Sequence, residues 1–240
     1  MSRGRFPSKA VRGMSLHIHP QPTEKATRCD YFGNSSVYFE IEGSHESLEI
    51  TAQSLVRLQQ SAPVDSRATP AWELVRDACL ADQLTPTAVA GELCFASPLI
   101  PMDSVFAAYA KPSFPPGRPI LEGVKDLNRR IFKDFAFDPT ATDFATPVAK
   151  VLQQRRGVCQ DFAQVMAAGL RSLGLAGPLC QRLPCVPRLR PGKPRLVGAD
   201  ASHAWVSVWT GADEVGWTDV DPTNDVRPVD VDHITVGLGA

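Results

Sequence analysis

The sequence predicts an α+β protein. Three observations carry that prediction: alternating apolar–polar runs in the first third, helical apolar stripes through the centre, and a second pair of alternating runs near the C-terminus. Of the 240 residues, 43% are hydrophobic and 21% charged, which is enough apolar material for a core and excludes a wholly disordered chain. The 21 prolines favour short elements over a long helical bundle. Lys+Arg 25 against Asp+Glu 26 leaves a formal charge of -1, so no basic surplus points to nucleic acid. No run of 18 apolar residues is present and no membrane span is expected. Met1–Arg12 is basic but lacks the apolar stretch of a secretory signal. Together with six cysteines at irregular spacing, this predicts reduced thiols in a cytoplasmic protein.

The β-strands come first. Val37, Phe39 and Ile41 alternate with Tyr38, Glu40 and Glu42; beyond Gly43–Ser47, Leu48, Ile50, Ala52, Ser54 and Val56 share one face. Period two on both sides of a polar turn predicts an antiparallel hairpin. His17 and His19 share a face of a short extended stretch, a spacing a metal could use, but no cysteine or carboxylate joins them and an exposed strand face is expected instead.

Helices follow. Thr69-Pro70 reads as an N-cap and first helical residue, with Trp72, Val75 and Cys79 at helical spacing behind it. A short helix fits Ser104–Ala110. From Pro119, the residues Ile120, Val124, Leu127, Ile131 and Phe135 form one stripe, ended by Asp138-Pro139. Thr146-Pro147 opens another helix, with Val148, Val151 and Leu152 inward.

The next stretch carries the chemistry. Phe162, Val165, Met166, Gly169, Leu170 and Leu173 recur at steps of three and four, so a helix begins near Cys159 and stops at Gly174. A thiol at a helix start feels the positive end of the helix dipole, which favours the thiolate, although cysteine is also a common small buried hydrophobe. Further on, Ser202–Trp209 and Trp217–Asn224 flank a turn containing Gly211, Asp213 and Gly216. If they pair about residue 212, His203 faces Asp221 with about 5 Å between Cβ atoms. Pro222 has no N–H for a ladder and leaves Asp221 at the strand end. Alone, His203 reads as a surface imidazole and Asp221 as a turn carboxylate. Together with Cys159 they make the arrangement of nucleophilic acyl transfer, in which Cys159 attacks, His203 shuttles the proton and Asp221 orients His203. The Cys159 N–H at the helix start is a donor for an oxyanion.

These residues resemble the transglutaminase-like superfamily, in its bacterial branch. The likeness rests on GVCQDFA around Cys159, DASHAWV from Asp200 to Val206 and WTDVDPTN from Trp217 to Asn224, with DYFGN at Asp30–Asn34 similar to the family's N-terminal β-domain. It implies a papain/transglutaminase-like α+β core: a helix bearing Cys159 packed on an antiparallel sheet bearing His203 and Asp221. It also implies thiol chemistry on a protein, peptide or other amide substrate, by hydrolysis or by transfer to an amine. No cofactor or metal is called for, and no nucleic-acid or membrane partner. The expected organisation is a partial β-domain over residues 1–64, with 1–14 disordered and its leading strand missing, then a core over 65–240 cut short at its C-terminus.

Two departures from the family pattern stand out. Gln164 occupies a position where relatives commonly have histidine. Between Gly177 and Arg190, relatives have a strand of the type RYVSGYL, whereas this chain reads Pro178-Leu179-Cys180-Gln181-Arg182-Leu183-Pro184. The bases CCGCTATGTCAGCGGCTACCT encode the second string in one frame and the first when displaced by one base, so residues 178–190 read as a local frame displacement. Two prolines and Arg182 predict that this segment leaves the sheet or weakens the domain; the alternative to the enzyme reading is then a non-catalytic or folding-impaired family member that at most binds a protein partner. As a Cys-x4-Cys pair, Cys180 and Cys185 are not expected to hold zinc.

Overall fold

The structure is a computed structural model that describes residues 10–57, 65–81, 87–182, 202–211, 216–227, 233, 235 and 237–239. The chain divides into two units, residues 8–60 and residues 61–240 with 1–7.

In the first unit, β1 (Ala10–His19) pairs antiparallel with β4 (Glu49–Arg57), and β2 (Glu24–Cys29) with β3 (Ser35–Glu40). The hairpin expected between residues 37–41 and 48–56 is therefore not formed; each run pairs with an earlier strand. The reason is the Asp30–Asn34 turn. Asp30 takes the Asn34 backbone N–H at 2.8 Å and its side-chain amide at 2.7 Å, and Gly33 adopts φ +85°, which closes β2 on β3 within five residues. Val37 and Phe39 face inward and Tyr38 outward, as the alternation predicts. Ala10–Met14, expected within a disordered leader, belong to β1. His17 and His19 lie on that strand, exposed.

In the second unit, α1 (Trp72–Ala81) buries Trp72, Val75 and Cys79. Thr69 does not cap it. Its hydroxyl accepts the N–H of Leu121 at 3.3 Å, in the first turn of α4 (Ile120–Asp134). Between them lie α2 (Thr87–Glu92) and α3 (Ser104–Ala110), the latter capped by Asp103 on the Val105 N–H at 2.9 Å. The α4 stripe is buried as the spacing predicts, with Asn128 added to it. This helix stops at Asp134, before Asp138-Pro139, because Ala136–Phe137 (β5) turn aside to pair parallel with Arg156–Gly157 (β6). Between these strands runs α5 (Val148–Gln154).

The helix α6 (Cys159–Ser172) is buried along nearly its whole surface, the signature of a central core helix. Gly169 brings it against α3, since a Cβ there would stand 3.2 Å from the Ala110 methyl. Its end is a Schellman cap: Gly174 at φ +79° donates to the Arg171 carbonyl and Leu175 to Leu170. The sheet it covers has the order β10 (Gly237–Gly239), β7 (Leu179–Arg182), β8 (His203–Trp209), β9 (Trp217–Val220), with antiparallel pairing throughout.

The expected exclusion of residues 178–190 from the sheet does not hold for its first part. Leu179–Arg182 pair with Val206–His203, and Leu179 and Cys180 are buried. The prolines allow this because both fall outside the four-residue ladder; the Pro178 carbonyl even accepts the Ser207 N–H at 3.1 Å. Residues 183–190, including Cys185, lie outside the described residues. Among the described residues, no helix is long and apolar enough to cross a membrane.

Candidate active site

Cys159 is the first residue of α6, as the spacing predicts. The preceding Val158 has no side-chain acceptor, so the helix start is fixed from inside. Asp161 turns back, and its Oδ2 accepts the Val158 N–H at 2.8 Å and the Thr142 hydroxyl at 2.6 Å. Gly157 is required beside it, because a Cβ there would stand 2.3 Å from that oxygen. The Cys159 thiol, almost wholly buried, lies 3.7 Å from the Ser202 carbonyl at the edge of β8. Pairing α6 with β8 therefore brings the thiol to the residue next to His203.

The imidazole of His203 meets Asp221 with Nε2 to Oδ2 at 2.9 Å, both side chains buried. An ionised carboxylate only accepts, so the proton sits on Nε2 and Nδ1 is the ring nitrogen left for the thiol. Nδ1 is buried and meets no nitrogen or oxygen donor among the described residues. Burial opposes the charged imidazolium. Hydrogen bonding and charge from Asp221 and then from Cys159 outweigh it and push the His203 pKa up to about 9.

The expected register is off by two residues. Val206 faces Val220 and Trp209 faces Trp217, so positions sum to 426 rather than 424, and the ladder ends before Asp221. Because the side-chain period is two, a shift of two keeps Asp221 on the face of His203, as its diagonal neighbour. Asp221 opens a tight turn instead, exchanging both backbone hydrogen bonds with Val226.

Within that turn Asp221 is an anion hub. Oδ1 accepts the N–H groups of Thr223 at 2.8 Å and Asn224 at 3.3 Å; Oδ2 accepts the Asn224 side chain at 2.8 Å, His203, and His233 Nε2 at 3.0 Å. Burial alone would raise its pKa. The hydrogen bonds and charges of His203 and His233 reverse this and hold it well below the usual carboxylate range. The turn is tied to α4 by Asn128 Nδ2 on Asp225 Oδ1 at 3.1 Å, and by Arg227 on the Lys125 carbonyl at 2.6 Å.

The structure thus brings all three expected residues to one place. Sequence reasoning missed those that hold them. Asp161 is the third residue of a helix whose start was legible, where an acid commonly serves the cap. Asn128 is a polar residue inside an apolar stripe. His233 carries no local signal beyond the Asp232-His233-Ile234 string and reaches the site only through the tertiary fold. Among the described residues, His203, Asp221 and His233 are also the group whose donor types could hold a metal, with ligand atoms within 4.8 Å of one another. The ring nitrogens facing Asp221 stand 2.9 and 3.0 Å from it, and its ionised carboxylate accepts from both.

A helix opening on a cysteine, packed on an antiparallel sheet with a histidine–aspartate pair, defines the papain/transglutaminase-like class of α+β folds. The chain belongs to the transglutaminase-like superfamily, in its bacterial branch. It matches the superfamily over residues 108–222 and the bacterial transglutaminase-like N-terminal region over residues 5–57. It is 40% identical over 236 residues to an uncharacterized protein of Mycobacterium tuberculosis, covering 93% of this chain and 71% of that one. An uncharacterized protein of Mycobacterium leprae is 29% identical over 220 residues, covering 88% and 70%. Among solved structures, a candidate cysteine protease from Cytophaga hutchinsonii superposes with a TM-score of 0.63 at 14% identity, covering 100% of this chain and 74% of that one, a likeness of fold.

Proposed function

We propose that the chain is a thiol-dependent hydrolase or acyl transferase acting on a peptide or other amide, with Cys159, His203 and Asp221 as its triad. The observation that carries this reading is the pairing of His203 Nε2 with Asp221, which leaves Nδ1 to the Cys159 thiol at the start of α6. Asp221 fixes the tautomer and meets the imidazolium charge as it forms.

With a pKa of about 9, His203 holds the Cys159 proton on Nδ1 at neutral pH, and the thiolate sulfur bonds the amide carbonyl carbon. The developing oxyanion is received by N–H groups of the first turn of α6, which have no acceptor within the helix. The C–N bond then breaks, Nδ1–H protonates the departing amine, and a thioester remains. Water, or an amine in the transfer reaction, attacks that thioester with its proton going to Nδ1; the C–S bond then breaks and the Cys159 thiolate departs beside the protonated His203. The acceptor is chosen by the shape and wetness of the approach to Cys159.

The test joins pH-resolved alkylation, with mass-spectrometric mapping of the labelled peptides, to amide cleavage by Cys159→Ala. The expected result is labelling of Cys159 ahead of the exposed Cys29, and loss of cleavage in the variant. Full cleavage by Cys159→Ala discards the reading. A unique but sluggish Cys159 supports a protein that only binds a partner.

A further inference from the structure

We propose that His233 is a positioning residue for the candidate triad: by donating its Nε2–H to the oxygen of Asp221 that His203 also uses, it fixes the carboxylate so that His203 Nδ1 stays turned toward Cys159. This inference rests on the triad reading above.

The geometry is specific. Asp221 Oδ2 receives His203 Nε2 at 2.9 Å, His233 Nε2 at 3.0 Å and Asn224 Nδ2 at 2.8 Å. Three donors from β8, the turn after β9 and the stretch before β10 converge on one oxygen, so a rotation of the carboxyl group would break all of them. The His233 ring is itself held. It stands edge-on to Trp205, with centroids 5.1 Å apart and planes at 90°, and the Trp205 indole N–H is anchored on Asp219 Oδ2 at 3.1 Å. The frame Asp219–Trp205–His233–Asp221 is fully buried, where a misplaced donor is expensive.

The imidazolium of His203 needs Asp221 in one fixed place, both while it holds the thiol proton and as it gives that proton up. With Oδ2 held by His233 and Asn224, no reorientation is needed at either stage. Among the described residues, the titratable and charged groups around this frame are His203 on β8, Cys159 on α6, Asp219 on β9, and Asp225 and Arg227 in the turn. Of these, His203 bonds Asp221 directly, as His233 does, and the pair together hold its carboxyl in the ionised form.

The test uses the full chain with iodoacetamide as the probe of Cys159, its rate followed from pH 4 to 9. His233→Phe keeps a ring against Trp205 and removes the donor; His233→Gln places an N–H where Nε2 stands without a second ionisable ring. The expected result is a plateau rate for H233F about tenfold below wild type, the worth of one charge-assisted hydrogen bond, with its acid limb moved to higher pH. H233Q recovers most of the rate. An H233F profile that superimposes on wild type, or an H233Q as slow as H233F, overturns the proposal. Ring-nitrogen NMR on the unaltered chain needs no variant to fold: a proton on Nε2 of His233 is expected, and a proton on Nδ1 alone sinks the idea. A wild-type Cys159 labelled no faster than Cys29 would instead strike the triad reading itself, so the two failures are distinct.

Discussion

His203 and Asp221 meet diagonally, from the first residue of β8 to the residue just past the end of β9, and not as a facing pair. The carboxylate is thereby freed from strand geometry. Placed in a turn, it collects backbone N–H groups that a strand residue would have lost to the ladder.

The His203 charge makes stability pH-dependent in a definite direction. Its folded pKa of about 9 lies above the ordinary 6.5, so its contribution is fully present below pH 6.5 and is lost as pH rises through 9. Urea midpoints should fall across that window by the equivalent of about 3 kcal/mol at most, and the fall should vanish in His203→Gln. Asp221 acts at the other end: with its pKa depressed, its contribution is present above about pH 4 and lost as pH drops further.

Replacing Asp221 by Asn removes the anion from five converging donors and brings N–H groups against the imidazoles. D221N should lose about 3–5 kcal/mol of stability. Any residual amide cleavage should fall by roughly 10³–10⁴, since the imidazole then favours the wrong tautomer. Equal activity of D221N and wild type on a chromogenic amide would count against the triad.

Gly157→Ala drives a methyl into the carboxylate that fixes the start of α6. The expected cost is about 1–3 kcal/mol by thermal melting. A parallel slowing of Cys159 alkylation is expected, because the thiol moves with the first helical turn.

The text of residues 178–184 makes a prediction about bases. The coding sequence there should regroup, one base over, into a string that reads RYVSGYL. Codons incompatible with that regrouping would end the frame-displacement idea. The pairing of Leu179–Arg182 with β8 shows that the present residues occupy the sheet all the same.

What the sequence made legible follows from local physics. The start of α6 at Cys159, its stop at Gly174 and the stripe from Ile120 to Ile131 all depend on spacing within one element, and all are found. Partner choice between the strands of the first unit was not legible. The run at residues 37–41 pairs with β2 and not with the next run, because a side-chain-closed turn at Asp30–Asn34 outcompetes the longer link at 43–47. The histidine and the carboxylate were found despite a register wrong by two, since only odd shifts change faces. His233 and Asn128 join the site across long sequence separations, where no period can reveal them.

Thr69 serving α4 in place of α1 has a consequence for how the protein opens. The Pro70 carbonyl accepts the N–H of Ile120 at 2.8 Å, the Thr69 hydroxyl that of Leu121, and the Arg118 carbonyl that of Trp72 at 3.0 Å. Each helix start borrows acceptors from the leader of the other, fifty residues away. Neither can fray alone, so the amides of Trp72, Ile120 and Leu121 belong to one cooperative opening and exchange with solvent in step. Asn128, two turns along α4, carries that shared protection to the turn that holds Asp221.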